Sequence, residues 1–355
     1  MELSILWFFI VGVLLVGYFV LDGFDFGVGM ALPFLGKDNT DRRVVINTIG
    51  PVWDLNETWL IVAGACLFAA FPEWYATMFS GFYLALLLIL VALILRGVSF
   101  EYRHQGKGTE WTRWFDQFIF WGSLLPPLLW GTAFANLIQG VPIRPLETGG
   151  WIYEGTLLTL LNPYALLGGL TLTLLCFTHG LVFIALKTEG DIRVRARALA
   201  TKVGLGTVVV AAAFLLWTVV QHLDSPTGGL VILLSVLAAL ALVGGILSNV
   251  AGREGWAFVG NTLTITFALL AIFMALFPNL MISSIDPAFS MTIQGGASSQ
   301  KTLELMTWVA VFTMPLVLAY QAWTYWVFRK RVSRAHIPAD APEGDAEATA
   351  PAAAV

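Results

Sequence analysis

Apolar runs long enough to cross a lipid bilayer dominate this chain of 355 residues. A membrane-spanning helix needs about 20 consecutive, mostly apolar residues, and the sequence predicts nine such spans. Their limits are residues 5–35, 50–71, 74–100, 110–139, 162–187, 203–221, 228–250, 255–278 and 302–328. Only 12% of the residues are charged and 58% are hydrophobic, whereas soluble proteins carry about 25% charged residues. We therefore predict an all-α integral membrane protein with nine transmembrane helices.

The positive charges predict how the spans are oriented. All but two of the 19 Lys and Arg residues fall in connections on one side of the predicted membrane, and the exceptions are Arg144 and Lys301. Positive residues accumulate on the cytoplasmic side of membrane proteins. We therefore predict that the N-terminus lies outside and the C-terminus in the cytoplasm. The net charge of −4 gives no basic face for nucleic acid.

Ionisable residues inside the predicted spans are confined to the first three spans. The set comprises Asp22 and Asp25 in span one, Asp54 and Glu57 in span two, and Arg96 at the end of span three, with Trp53, Asn56 and Trp59 beside them. The two acidic residues in each span are three apart, so each pair shares a helix face. The predicted topology brings all of these charged groups to the cytoplasmic side of the membrane.

Two interpretations fit this cluster. Charged groups inside a membrane are costly and mark ion or proton paths, so the carboxylates and the arginine can form a proton-uptake site. The same groups can equally form a salt-bridge cluster that fixes the packing of the first three helices, because charges near the interface can reach water. The residue types alone favour neither interpretation.

The histidines and cysteines do not indicate a cofactor site. Only His179 of the four histidines lies deep inside a predicted span, and a haem b centre usually takes two axial ligands from the protein. We therefore expect a structural His179 and no haem bound by this chain. Cys66 and Cys176 both lie in apolar runs, so neither a disulfide framework nor a thiolate metal site is expected.

Several short motifs resemble subunit II of cytochrome bd quinol oxidase. They are residues 22–30 (DGFDFGVGM), 50–57 (GPVWDLNE), 79–83 (FSGFY), 96–103 (RGVSFEYR), 298–300 (SSQ) and 305–309 (LMTWV). The resemblance covers residues 5–330, and the motifs in combination are highly specific.

This resemblance implies a fold, a partner and a reaction. Members of the family have two four-helix bundles plus one additional helix, and they pair as a heterodimer with a similarly built subunit I in the bacterial plasma membrane. Subunit I carries haem b and haem d, and the pair oxidises quinol outside and reduces oxygen to water with protons from the cytoplasm. A proton motive force follows without pumping. A structural quinone in this subunit and a small single-span accessory subunit are left open.

The resemblance also divides the chain into four parts. Residues 1–140 form a first bundle with the embedded carboxylates, residues 141–161 an external connection, and residues 162–334 a second bundle plus the last helix. Residues 335–355 are rich in Ala, Pro and acids, and such a composition cannot bury a core. We expect a disordered cytoplasmic tail there.

The family assigns proton uptake towards the haem site to acidic positions that Asp25 and Asp54 match, and Arg96 matches a nearby basic position. Two residues depart from the pattern: Glu57 stands where relatives can have an amide, and Leu55 stands where Gly is frequent. The predicted proton-transfer groups are Asp25, Asp54, Asp22 and Glu57, supported by Arg96, Trp53 and Asn56.

A secondary transporter built from two helical bundles is the alternative function. Carriers place polar or broken-helix elements near the bilayer midplane in both halves of the chain. The embedded acids here occupy one side of the membrane in one half only, which favours the oxidase subunit.

Overall fold

The computed structural model describes residues 2–106 and 108–337. Within these ranges the chain forms twelve α-helices and four short β-strands. The helices are α1 (Leu3–Leu35), α2 (Asn39–Asn47), α3 (Trp53–Ala70), α4 (Pro72–Gly81), α5 (Tyr83–Tyr102), α6 (Thr109–Gln139), α7 (Pro163–Lys187), α8 (Gly190–Gln221), α9 (Gly228–Val250), α10 (Glu254–Leu276), α11 (Ile293–Gly296) and α12 (Gln300–Val327). Eight helices are long and apolar enough to cross a membrane, and α3 with α4 is a ninth candidate if that bent pair is one span. The all-helical membrane fold is confirmed, with eight to nine candidate spans in the described residues.

Two predicted spans differ from the helices that form. The run predicted over residues 74–100 is divided between α4 and α5, and α4 is bent from α3 by 118°. Proline lacks an amide hydrogen and is tolerated in the first turn of a helix but not in its interior. Helix α3 therefore ends before Pro72, and α4 begins there. The span predicted over residues 203–221 begins earlier, at Gly190, because the charged segment ahead of it continues the same helix as α8.

Helix α1 lies in the centre of the fold and packs against α3, α6, α7 and α10. Its closest approach is to α7, where Gly27 faces Gly180. A Cβ atom on Gly27 would lie 2.1 Å from the carbonyl oxygen of Cys176, and one on Gly180 would lie 2.3 Å from the carbonyl carbon of Gly27. Small residues let membrane helices approach until their backbones touch, so these two glycines set the spacing of α1 and α7.

The strands form two antiparallel pairs at the end of the molecule where α6 and α10 finish. They are β1 (Ile143–Pro145) with β2 (Trp151–Tyr153), and β3 (Asn279–Met281) with β4 (Met291–Thr292). The connections that carry them are joined by backbone hydrogen bonds, since the Val141 amide donates to the Ile282 carbonyl at 2.9 Å and the Ser284 amide donates to the Val141 carbonyl at 2.9 Å. These connections therefore form a common cap.

Ion pairs hold the opposite end of the molecule together. Asp116 of α6 accepts Arg103 Nε at 2.6 Å and Arg42 Nη1 at 3.0 Å. Asp41 of α2 accepts Arg195 Nη2 of α8 at 2.7 Å. The chain then continues past α12 into a single 3₁₀ turn, Arg334–His336. Residues 338–355, most of the predicted disordered tail, lie outside the described residues.

Candidate functional site

Two carboxylates lie completely buried in the middle of the fold. Asp22 and Asp25 belong to α1, and neither has any exposed surface. They are held in the interior because α1 is apolar around its whole circumference and is enclosed by four other helices. A helix that is hydrophobic on all sides is a buried helix, so its few polar side chains must find partners inside the protein.

Asp22 pairs with Arg96. The Arg96 Nη2 atom lies 2.6 Å from Asp22 Oδ1 and 3.6 Å from Glu57 Oε2, so one guanidinium joins α1, α5 and α3. The guanidinium carbon also lies 4.3 Å from the centre of the Phe26 ring. Gly122 of α6 makes room for this side chain, because a Cβ atom there would lie 2.8 Å from Arg96 Cβ. Arg96, which the predicted orientation places in a connection, lies inside α5 and is fully buried.

Asp25 is held by an amide instead of a cation. Asn56 Nδ2 donates to Asp25 Oδ2 at 2.7 Å. The side-chain oxygen Oδ1 of Asn56 accepts hydrogen bonds from Tyr325 OH at 2.7 Å and from Gln321 Nε2 at 3.1 Å, and both donors lie on α12. Gln321 Oε1 in turn accepts a hydrogen bond from Trp59 Nε1 at 3.3 Å. This network joins α1, α3 and α12.

The structure places the remaining predicted site residues at the edge of this cluster. Asp54 lies in the first turn of α3, three residues before Glu57, and is exposed. Trp53 is half-buried, with its ring centre 5.2 Å from that of Phe100. The side chain of Glu57 is 20% exposed. The acidic groups therefore pass from an exposed carboxylate, through a partly exposed one, to two buried ones.

Several atoms at the centre of the site have no hydrogen-bond partner among the described residues. They include Asp22 Oδ2, Asp25 Oδ1, Arg96 Nε and Nη1, Tyr18 OH and Ser123 Oγ. Buried polar atoms in native proteins nearly always have a partner, and exceptions indicate a functional role or bound water. Asp25 thus keeps one oxygen, Oδ1, that no group among the described residues engages.

Sequence reasoning missed Gln321 and Tyr325. They are four residues apart on α12, a spacing that puts two side chains on one helix face, and this pair of polar side chains within an apolar run is the signal that could have found them. Both are uncharged at neutral pH, so a search for embedded charges passes over them.

The surroundings of His179 do not fit an axial haem ligand. Its Nε2 atom lies 3.1 Å from the Val20 carbonyl oxygen, and its ring stacks on Phe258 at 4.6 Å between centres. Haem iron would need that nitrogen and the space beside it. Within residues 2–106 and 108–337, no group of three or more His, Cys, Asp or Glu residues could hold a metal ion.

Comparison with known proteins assigns this chain to a family. A family model described as cytochrome bd terminal oxidase subunit II matches residues 3–328. The chain is 43% identical to cytochrome bd ubiquinol oxidase subunit 2 of Bacillus subtilis (strain 168), over 92% of this chain and 96% of that protein. It is 39% identical to cytochrome bd-I ubiquinol oxidase subunit 2 of Escherichia coli (strain K12), over 94% and 96%.

The fold has a solved counterpart as well. A chain in the structure of bd oxidase from Geobacillus thermodenitrificans superposes with a TM-score of 0.71 at 18% identity, covering 92% of this chain and 99% of that chain. The resemblance noted in the sequence motifs is confirmed by the family match, and the transporter alternative loses its support. This chain is a multi-pass subunit of a bacterial membrane-bound oxidoreductase complex, and it belongs to the cytochrome bd terminal oxidase subunit II family.

Proposed function

We propose that this chain pairs with a haem-bearing subunit I and supplies part of the route by which cytoplasmic protons reach the oxygen-reducing haem. In this proposal the partner carries haem b and haem d, and the complex oxidises quinol and reduces oxygen to water. The names of the relatives, which are subunits of ubiquinol oxidases, support the choice of quinol as the electron donor. The surroundings of His179 agree with haem being bound by the partner.

The observation that carries the proton-path proposal is the graded burial of the carboxylates. Asp54 is exposed, Glu57 is partly exposed, and Asp22 and Asp25 are fully buried. Arg96 Nη2 contacts both Glu57 and Asp22, so the partly exposed carboxylate and one of the two buried carboxylates are joined through one side chain. Carboxyl groups inside a membrane protein serve as proton relays when they line such a series.

We also propose the predicted orientation, because positive residues gather at the end of the molecule near the carboxylates. The cluster lies toward the end of the molecule that carries the ion pairs of α2 and α8, where Arg42, Arg103 and Arg195 lie. Positive residues indicate the cytoplasmic side. With the N-terminus outside, nine spans and the C-terminus inside, Asp54 faces the cytoplasm, from which the protons would come.

The test replaces each end of the series by its neutral isostere. We expect Asp25→Asn and Asp54→Asn to lower oxygen consumption by at least about tenfold, since removing a group that transfers protons usually costs that much or more. Asp224→Asn is the matched control, because Asp224 is exposed in the connection after α8. Oxygen uptake is measured on the purified complex, and its haem spectrum measures assembly. Mass spectrometry of the same preparation identifies the partner, any accessory subunit and any bound quinone.

Two results would contradict the proposal. If both variants respire at the wild-type rate, the acids conduct no protons and the cluster is a packing element. If the variants lose haem in proportion to activity, the acids are needed for assembly and not for proton transfer.

A further inference from the structure

A series of hydrogen bonds runs from Trp59 to the buried carboxylate of Asp25. Trp59 Nε1 donates to Gln321 Oε1 at 3.3 Å, Gln321 Nε2 donates to Asn56 Oδ1 at 3.1 Å, and Asn56 Nδ2 donates to Asp25 Oδ2 at 2.7 Å. We call this series the Trp59 relay. It passes from α3 to α12, back to α3, and then to α1.

The direction of every bond in the Trp59 relay follows from its first member. An indole nitrogen can only donate a hydrogen bond, whereas a side-chain amide donates at one end and accepts at the other. Gln321 must therefore turn its carbonyl oxygen to Trp59 and its NH₂ group to Asn56. Asn56 must then turn its own oxygen to Gln321, which leaves its NH₂ group for Asp25.

The surrounding packing keeps the relay in place. A Cβ atom on Gly17 would lie 2.3 Å from Trp59 Cε3, so the indole fits only against the bare backbone of α1. Asn56 is fully buried and Gln321 is 6% exposed, so neither amide can turn to solvent. Tyr325 OH donates to the same oxygen of Asn56 at 2.7 Å, and it thereby opposes rotation of that amide.

We infer that Trp59, Gln321 and Asn56 are positioning residues that assign the two oxygens of Asp25 different tasks. Oδ2 always accepts a hydrogen bond from Asn56, while Oδ1 has no partner among the described residues. A proton therefore binds Asp25 at Oδ1 and leaves from the same oxygen. The inference rests on the proposed function, since it matters only if Asp25 transfers protons.

Other ionisable groups surround Asp25 and must stay unchanged in any test. They are Asp22 on its own helix, Glu57 on α3, Arg96 on α5 and Tyr325 on α12. His179 of α7 faces the Val20 carbonyl of α1. The informative changes are therefore at Gln321, which is neutral and touches neither Asp25 nor Arg96.

The experiment compares Gln321→Met with Trp7→Phe. Gln321→Met removes one of the two donors that orient the Asn56 amide, so the amide is held less firmly and its charge-assisted hydrogen bond to the ionised Asp25 carboxylate weakens. Trp7→Phe is the matched control, because Trp7 Nε1 ties the other end of α12 to α1 through Thr307 Oγ1 at 3.0 Å. We expect the alkaline limb of the pH profile of oxygen consumption to move up by about one unit in Gln321→Met, and not in the control.

Infrared difference spectroscopy gives a readout that does not depend on turnover. The carboxyl band of protonated Asp25, identified by its loss in Asp25→Asn, should shift in Gln321→Met and stay in place in Trp7→Phe. The inference is overturned if Gln321→Met matches wild type, or if the control shifts equally, while Asp25→Asn still lowers oxygen consumption. If Asp25→Asn has no effect, the proposed function fails, and the role assigned to the relay fails with it.

Discussion

Arg96 is a fully buried positive charge, and its partners determine whether its burial is tolerated. Moving a charged group from water into a protein interior costs several kcal/mol, which is recovered only when an opposite charge and further hydrogen bonds are well placed. The groups that compensate this cost are Asp22 Oδ1 at 2.6 Å, Glu57 Oε2 at 3.6 Å and the Phe26 ring at 4.3 Å. Removing one partner of such a pair therefore destabilises the folded state more than removing both partners.

We predict that Arg96→Met destabilises the complex by about 3–5 kcal/mol, because it leaves the Asp22 carboxyl group in the interior without its cationic partner. The double variant Arg96→Met with Asp22→Leu should recover most of this loss. Thermal unfolding of the purified complex measures both effects. Arg144→Met serves as the control, since Arg144 and Glu154 form a half-exposed pair that contributes about 1 kcal/mol or less. Equal stability of the single and double variants would contradict the prediction.

The contact of α1 with α7 fixes where Asp22 and Asp25 lie relative to the other helices. Gly27 is two residues from Asp25 and five from Asp22, and it touches the backbone of α7 at Gly180. Any side chain at this crossing would push α1 away from α7 and towards α3. The geometry of the carboxylate cluster thus depends on two residues that have no side chain of their own.

We predict that Gly27→Ala and Gly180→Ala each prevent the complex from assembling, because the added methyl group meets backbone atoms that cannot move aside. Overpacking of a rigid interior costs about 1–3 kcal/mol and sometimes more. Gly206→Ala is the control, since a Cβ atom there meets nothing within 4 Å. Yield of haem-containing complex measures assembly. Normal yield from the Gly27 variant would show that α1 can move without loss.

Hydropathy predicts the helices of this chain well and their breaks poorly. The apolar runs predict the long helices because bilayer thickness sets their length. The division between α4 and α5 is not visible in the hydropathy of the run, and only Ser80 and Gly81 directly before Phe82 mark it. Helix α8 starts at Gly190 instead of at residue 203, because a charged sequence can still be helical outside the membrane.

The same contrast holds within the candidate site. Asp22, Asp25 and Arg96 are visible in the sequence because an ionisable residue inside an apolar run is conspicuous. Gln321 is neutral and lies 265 positions from Asn56. Its contribution depends on how α12 packs across α3, and only the folded chain shows that contact.

At the scale of the whole molecule, one end is closed by ion pairs between segments far apart in the chain. Arg334, just beyond α12, lies 2.9 Å from Asp38 and 2.5 Å from Asp41 on either side of the start of α2. The backbone amide of Asp41 and then the Arg334 guanidinium hold the pKa of Asp38 below its ordinary value of 3.8. Because the pKa of Asp38 is lower in the folded chain than in the unfolded chain, its carboxylate stabilises the folded state at any pH above the ordinary pKa. This stabilisation is lost as the pH falls through the lowered pKa.

We predict that Arg334→Gln speeds amide hydrogen exchange in α2 at neutral pH, because the pairs that fasten α2 are lost. After correction for intrinsic exchange rates, the exchange rate of α2 in the wild-type chain should approach that of the variant below pH 3.8. It should also do so at high salt, because salt screens half-exposed ion pairs. Arg329→Gln is the control, since Arg329 packs on Trp326 and not on α2. Unchanged exchange in the Arg334 variant would mean that α2 is held by its apolar contacts alone.

Hydrogen bonds join helix α12 to the rest of the fold in each of its two halves, and most of its residues between these bonds are exposed. Trp7 holds its first half, and the Trp59 relay holds its second half. Its outer face carries Trp308, Trp323 and Trp326, whose side chains are between 58% and 65% exposed. Indole fluorescence is quenched by energy transfer to a nearby haem, so the part of the emission that is lost when these three of the 14 Trp residues are changed to Phe reports what covers α12. A haem-bearing subunit packed on this face would quench the fluorescence of the three rings, whereas lipid alone would not.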